Sequence, residues 1–222
     1  MSRKLGLGAI VGTLTASLAL AFAVTATPAA DAHTGHGSSA SKAAFHDAMR
    51  QLWEDHIVWT RQFIVSAATD SDNLADIGPT ADRLLANQTD IGNALKPFYG
   101  DAAGEQVTAL LRDHILIAGD LIAAAKAGDS GAVDAKAAAW YQNADDIATA
   151  LNSLNPKNWP LDDMKAHMKD HLDLTLEEAV ARLQGRYADD IAAYDKIHVQ
   201  ILGMADMLSD GIIAQFPAKF AR

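Results

Sequence analysis

Apolar residues recur at three- and four-residue steps along most of the chain, the pattern of amphipathic α-helices. Glycine, proline and short polar segments divide the pattern into six stretches. These run from about Ala44 to Ala68, Pro79 to Pro97, Asp101 to Gly128, Ala132 to Leu154, Pro160 to Gly185 and Ala188 to Pro217. Because no run of alternating β-branched residues lies between turn signals, the sequence predicts no strands.

Short connections between successive long helices favour antiparallel neighbours. The fold class that follows is all-α, a six-helix up-and-down bundle made of three repeated helical hairpins. The sequence leaves open whether the three hairpins close into a bundle with pseudo-threefold character.

The repeat is indicated by a dipeptide, Asp-His, that recurs roughly every 57 residues and is always followed by Ile or Leu. It occurs at Asp55-His56, Asp113-His114 and Asp170-His171. A second signal alternates with it, at Asn87-x-x-Asp90, Asn143-x-x-Asp146 and the corresponding segment His198-Val199-Gln200. Each histidine lies within the apolar stripe of its stretch, so the predicted hairpins carry polar groups at mid-helix.

The first residues have the features of a secretory signal peptide: a basic start, an apolar stretch and the cleavage motif Ala30-Asp31-Ala32. We therefore expect residues 1–32 to be removed, the protein to be secreted or otherwise extracytoplasmic, and no membrane anchor to remain. Residues 33–43 are small and polar and are expected to form a flexible N-terminal arm. The bundle domain is expected over 44–217 and a C-terminal tail over 218–222.

Charge and composition restrict the possible partners. The formal net charge is −10 at pH 7, which repels nucleic acid and anionic membrane surfaces and is compatible with bound cations. The chain contains no cysteine, so disulfides, thiolate metal sites and cysteine nucleophiles are excluded. A metal ion or a small ligand is the expected partner, and the oligomeric state is not indicated.

Five sets of residues spread over the chain form recognisable motifs: 52–61 (LWEDHIVWTR), 97–100 (PFYG), 140–145 (WYQNAD), 170–172 (DHL) with Thr175 and Glu178, and 211–216 (GIIAQF). Together they resemble a family of exported bacterial helical proteins recognised by an LWxxHVxWTR signature. The resemblance covers nearly the whole mature chain and implies helical fold and export, without implying an activity. The chain departs from the pattern at His198, where an acidic residue is expected, and at His167.

The strongest local set of possible metal ligands is Asp163-x-x-x-His167-x-x-x-His171. Residues four apart are neighbours on a helix surface, and Glu178 continues the face two turns later. Histidine and carboxylate without cysteine suit Zn, Cu, Ni or non-haem Fe and do not select among them. The alternative is that His167 is a surface residue and His171 a buried histidine bonded to a neighbouring helix.

A second possible set combines the repeated histidines. His56, His114 and His171 can converge near the middle of the bundle with polar residues of the intervening helices, as a metal site or as a buried polar network. Adjacent helical residues point about 100° apart, so each Asp of the dipeptide is expected to face a neighbouring helix. The partners considered are Asp90, Asp146, Asn143 and His198.

Three functions follow from these candidates. The first is an exported, non-catalytic binding module that holds a transition metal or a small ligand in the bundle. The second is a structural or interaction protein with a buried His/Asp network and no metal. The third, less favoured, is a metal-assisted hydrolase or oxidase using His171 and Glu178 as ligand and base.

Overall fold

The computed structural model describes residues 34–69 and 75–221. Within these ranges the chain is helical and contains no strand, so the all-α up-and-down bundle is confirmed. The signal peptide expected at 1–32 lies outside the described residues. The helices are α1 (Thr34–Ala68), α2 (Ile77–Tyr99), α3 (Asp101–Ala127), α4 (Ser130–Leu154), α5 (Leu161–Leu183) and α6 (Tyr187–Gln215), followed by a 3₁₀ turn over Pro217–Phe220.

The six helices form a closed ring. Each helix packs against the next in sequence, and α6 returns to pack against α1. In addition, α1 contacts α3 and α5 across the interior. The closure that the sequence left open is therefore present, and it brings three alternate helices, those that carry the Asp-His dipeptides, to a common interior.

Helix α1 begins ten residues before the predicted start at Ala44, so the expected flexible arm is wrong from Thr34 onward. Ser41 lies inside the helix. Alanine and lysine at 40 and 42–44 are good helix formers, which favours continuation through this segment.

The expected C-terminal tail is also part of the bundle. Phe220 is only 5% exposed. Its ring centroid lies 5.2 Å from that of Phe45 and 5.8 Å from that of Phe98. Aromatic burial holds the last turn against α1 and α2.

Helix α2 continues through Pro97, the predicted stop, to Tyr99. Gly100 follows with φ of 85°, a conformation that favours glycine, and α3 starts at once. The same two helices approach closely near this connection. A Cβ at Gly92 would lie 2.6 Å from the Gly104 carbonyl oxygen, and a Cβ at Gly104 would lie 2.7 Å from the Gly92 carbonyl oxygen.

Helix α6 is long and apolar enough to cross a membrane by length and composition. Its apolar residues Ile197, Ile201, Met204 and Ile212 are nearly fully buried inside the bundle. This is the pattern of a core helix, which passes the same test of length and composition.

Candidate ligand-binding cavity

Three buried histidines line one cavity inside the bundle. His56 of α1, His114 of α3 and His171 of α5 are 2%, 3% and 3% exposed. The ring centroids of His56 and His171 are 5.6 Å apart. The sequence predicted that these three positions face inward, and the closed ring brings them together.

The cavity has a volume of about 90 Å³ and extends from the histidines toward the end of the bundle where α1, α3 and α5 finish. Its walls there are apolar, with Ile64, Ile122 and Leu183 among the lining side chains. In the part of the chain that the structure describes, no charged residue lines it. The three imidazoles and the indole of Trp140, whose buried Nε1 has no hydrogen-bond partner among the described residues, are thus the polar rings of an otherwise apolar lining.

Two threonines at the cavity add little polarity. The hydroxyl of Thr60 donates to the carbonyl oxygen of His56 at 2.8 Å, and that of Thr175 donates to the carbonyl oxygen of His171 at 2.8 Å. Each is four residues after its histidine, so the hydroxyl bonds within its own helix. Ala118 holds the same position after His114.

Two of the histidines are held by amide side chains of the following helix. Asn143 of α4 donates through Nδ2 to the carbonyl oxygen of Leu110 at 3.1 Å, and its Oδ1 lies 2.8 Å from His114 Nδ1. Gln200 of α6 donates through Nε2 to the carbonyl oxygen of His167 at 3.0 Å, and its Oε1 lies 3.2 Å from His171 Nδ1. In both, the carbonyl belongs to the residue four before the histidine.

These contacts fix the tautomers of His114 and His171. The amide nitrogen must face the backbone carbonyl, because the reverse orientation would place two oxygens together. The amide oxygen therefore faces Nδ1, which must donate its proton to it. Nε2 of both rings is left with a lone pair, as in histidines whose other nitrogen is held by a second partner.

His56 is held differently. Its Nδ1 lies 3.2 Å from the amide nitrogen of Gln88, which also lies 2.9 Å from the Leu84 carbonyl oxygen and 3.1 Å from Asn87 Oδ1. This amide nitrogen has two hydrogens for three neighbours and cannot itself accept, so a proton on His56 Nδ1 would find no acceptor there and is assigned to Nε2. Of the three Nε2 atoms, that of His56 therefore carries a proton, and those of His114 and His171 carry lone pairs.

All three rings are neutral at ordinary pH. Burial lowers the pKa of His114 to about 3 and that of His171 to about 4. Burial, followed by repulsion from the other two imidazoles, lowers the pKa of His56 well below 6.5. An apolar cavity disfavours the charged form of each ring.

The predicted ligand set on α5 does not form. His171 faces the cavity, but Asp163 is exposed and His167 is only partly buried. A step of four residues turns a helix face by about 40°, so positions 163 and 171 differ by about 80°. Over 34–69 and 75–221, no group of three or more His, Asp or Glu side chains is arranged to hold one metal ion.

The remaining predicted ligands lie outside the cavity. Asp90 and Asp146 are exposed, and Asp146 accepts from Gln142 Nε2 at 3.0 Å. His198 Nε2 lies 2.9 Å from Glu54 Oε1 at the surface. The aspartates of the dipeptides also stay outside, where Asp55 pairs with Arg83 of α2 at 3.0 Å.

Glu178 belongs to a buried ionic network between α1, α5 and α6. Its Oε1 accepts from Arg61 Nη1 at 2.5 Å, and the same guanidinium donates to Asp190 at 2.7 Å and 3.3 Å. Arg182 Nη1 donates to Asp190 at 3.3 Å. Burial raises the pKa of Glu178 to about 7 against the opposing effect of Arg61. This carboxylate joins helices and does not line the cavity.

A serine, a histidine and an aspartate also meet between α1 and α6, a set the sequence reasoning missed. Ser209 Oγ lies 2.7 Å from His46 Nδ1, and His46 Nε2 lies 3.1 Å from Asp210 Oδ1. Ser209 is fully buried and its hydroxyl donates to the Ala205 carbonyl oxygen at 2.8 Å. Because Ser209 is fully buried, its hydroxyl is not placed to attack a substrate.

Sequence reasoning also missed Gln88 as a partner of His56 and did not single out Gln200 as the partner of His171. Asn143 had been noted, and Gln200 occupies the corresponding place in the third hairpin, so that spacing is the signal that could have found it. Gln88 lies one position beyond the pattern. Comparison with protein-family models, curated proteins and solved structures found no match for this chain.

Proposed function

We propose that this chain is an exported helical binding module that holds a small neutral ligand in the histidine-lined cavity. The ligand would place its polar end against the three Nε2 atoms and its apolar part among the aliphatic side chains. Export rests on the signal-peptide features and on the family resemblance. Three repeated hairpins, each contributing one histidine from its first helix, would build the site.

One observation carries the proposal: three buried histidines, held through Nδ1 in different tautomers, line a single apolar cavity. We infer that their Nε2 atoms face the cavity, where a ligand that pairs with them would be favoured. A neutral molecule with a donor and an acceptor close together matches them. Carboxylic acids in their neutral form, primary amides and azoles have this chemistry.

The volume restricts the size of this ligand. An apolar cavity of about 150 Å³ is enough for benzene. The cavity here is about 90 Å³. A compact ligand smaller than benzene is therefore the expected class.

A transition metal is a second candidate, favoured by His114 and His171. Both give their Nδ1 proton to an amide oxygen and keep a lone pair on Nε2, as metal-ligating histidines do. Zn, Cu, Ni and Fe remain equivalent on this ligand set. His56 carries its proton on Nε2 and the carboxylates lie elsewhere, so an ion here would need ligands from outside the chain.

Titration of metal-free protein with pyrazole, by calorimetry and by thermal melts, tests the proposal. Pyrazole carries an N–H donor beside a nitrogen acceptor on a five-membered ring, and furan is the matched control of the same ring size without a donor. We expect pyrazole to bind saturably at one molecule per chain and to stabilise the folded protein more as its concentration rises. We expect furan to bind at least about tenfold more weakly than pyrazole.

Two variants locate the site. His114→Leu should abolish pyrazole binding, whereas His198→Leu, at the surface, should leave it unchanged. Equal binding of pyrazole by both variants, or no binding by the wild type, would overturn the proposal. If the wild type binds Zn(II), Cu(II), Ni(II) or Fe(II) stoichiometrically and the variants His114→Leu and His171→Leu do not, the metal would replace the neutral ligand as the established candidate.

A further inference from the structure

We propose that Gln88 is the specificity-determining residue of the cavity, because it keeps the proton of His56 on Nε2. This inference deepens the proposed function and rests on it for the ligand. The position of the proton itself follows from the protein alone.

The first hairpin differs from the other two in having two amides where they have one. Asn87 Nδ2 donates to the carbonyl oxygen of Leu52 at 3.0 Å, four residues before His56. This is the contact that Asn143 and Gln200 make to Leu110 and His167. In those hairpins the oxygen of the same amide receives the histidine proton. In the first, Asn87 Oδ1 instead lies 3.1 Å from the amide nitrogen of Gln88.

Gln88 is thus inserted between Asn87 and His56 and reverses the direction of the hydrogen bond. Its amide nitrogen faces two groups that only accept, the Leu84 carbonyl oxygen at 2.9 Å and Asn87 Oδ1 at 3.1 Å. Turning the Gln88 amide over would place an oxygen against both. Turning the Asn87 amide over would place its oxygen against the Leu52 carbonyl oxygen, so neither amide can reverse.

The arrangement retains an unfavourable feature. Gln88 is fully buried and its Oε1 has no hydrogen-bond partner among the described residues. A glutamine kept at the cost of an unpaired oxygen is difficult to explain by packing alone, since an apolar residue would avoid that cost. Its effect on His56 supplies a reason for its presence.

The consequence for binding is a choice between ligand types. With the His56 proton on Nε2, the cavity has one donor and two acceptors and selects ligands that both give and receive a hydrogen bond. With that proton on Nδ1, all three Nε2 atoms would be acceptors, and a ligand with donors alone would fit equally well. Gln88 decides between these two sites without lining the cavity, so it is a positioning residue.

Nitrogen-15 NMR of the histidine rings in the ligand-free protein tests the first step. A protonated ring nitrogen and a bare one have distinct shifts, and single histidine substitutions assign the signals. We expect His56 with its proton on Nε2, and His114 and His171 with theirs on Nδ1. Observation of the Nδ1–H tautomer at His56 would overturn the inference.

In Gln88→Glu an oxygen replaces the amide nitrogen, so both contacts to the Leu84 and Asn87 oxygens are lost and the carboxylate must turn away from them. Turned toward His56, it should accept the ring proton and move it to Nδ1. Gln200→Glu is the matched control, because an oxygen already accepts from His171 there and its tautomer should not change. Gln88→Met removes the donor without adding charge and should give a mixture of tautomers at His56 if the Glu variant does not fold. If His56 keeps its single Nε2–H tautomer in Gln88→Met, and also in Gln88→Glu when that variant folds, then Gln88 does not fix the position of the His56 proton.

The second step is tested by the affinity ratio of pyrazole to pyrrole, which keeps the N–H donor and lacks the nitrogen acceptor. The wild type should prefer pyrazole about tenfold, and the preference should fall to near unity in Gln88→Glu and weaken in Gln88→Met. An unchanged ratio in both variants would overturn the role in specificity. The tautomer is measured without ligand, so failure of pyrazole to bind would refute the proposed function and leave the tautomer result to stand on its own.

Discussion

The interior of this bundle contains polar side chains at positions where an up-and-down bundle usually has leucine or isoleucine. The residues that satisfy the buried histidines are neutral amides, which pair without placing charge in an apolar region. Each amide that holds a histidine through its oxygen also binds a backbone carbonyl, so its orientation is determined. A fixed amide in turn determines which ring nitrogen carries the proton.

Asn143 allows this to be measured as stability. Asn143→Leu removes the acceptor of the His114 Nδ1 proton, at 2.8 Å, and leaves that buried donor unpaired. We expect the free energy of unfolding to fall by about 1–3 kcal/mol in urea titrations. Asp146→Ala is the matched control on the same helix, and it should stay within about 0.5 kcal/mol because Asp146 is exposed.

A loss in Asp146→Ala as large as that in Asn143→Leu would contradict this assignment. It would indicate that Asp146, and not Asn143, is the buried partner of His114. Such a result would also remove the basis for placing the His114 proton on Nδ1.

At the level of helices, α2 and α3 approach each other closely where Gly92 and Gly104 face each other. A methyl group at either residue would lie within 2.7 Å of the other's carbonyl oxygen. Two backbones can meet this closely only where side chains are absent. The contact holds the third helix, which carries His114, against the first hairpin.

Gly92→Ala should therefore destabilise the protein, because the helices must separate to admit the Cβ. A cost of about 1–3 kcal/mol is typical of overpacking. Gly203→Ala is the control: it is also inside a helix, but its Cβ would meet nothing within 4 Å. That variant should be neutral or gain up to about 1 kcal/mol from helix propensity.

Urea titrations of both variants check this. The sign should differ between them. Equal effects at the two glycines would mean that the α2–α3 contact is looser than the geometry indicates.

At the scale of the whole molecule, the three neutral histidines make stability depend on pH. In the folded protein the pKa is about 3 for His114 and about 4 for His171, and that of His56 is also lowered, so all three lie below the unfolded value near 6.5. Below about pH 6.5 the unfolded chain therefore binds more protons than the folded one. The stability contributed by burying these rings is present above pH 6.5 and is lost as the pH falls toward these values.

Glu178 acts in the opposite direction. Its folded pKa of about 7 lies above its usual value of 4.5, so the folded state binds the extra proton between these limits. Its contribution therefore rises as the pH falls. Three histidines against one carboxyl leave a net loss of stability on acidification.

Each group that titrates changes the free energy of unfolding by about 1.4 kcal/mol per pH unit. With three histidines opposed by one carboxyl, we expect it to decrease by up to roughly 3 kcal/mol per pH unit below pH 6. Urea titrations at pH 7, 6 and 5 measure this. His114→Leu should flatten the dependence by about one group, and His198→Leu should not. A free energy independent of pH in this range would mean that the rings are not held neutral.

The periodicity of apolar residues by itself determined six helices, their antiparallel order and the inward direction of His56, His114 and His171. These follow from a 3.6-residue repeat, which sorts side chains by face without knowledge of the partner helix. Closure of the ring, the cavity, the pairing of Glu178 with Arg61, and the amides that orient each imidazole were decided only by the tertiary structure. Helix register and rotation place Asn143, Gln200 and Gln88 within about 3 Å of a ring nitrogen, and a shift of one residue turns a side chain by about 100°. Sequence spacing resolves which face a residue occupies, whereas a hydrogen bond and the position of its proton depend on distances that only the packed helices set.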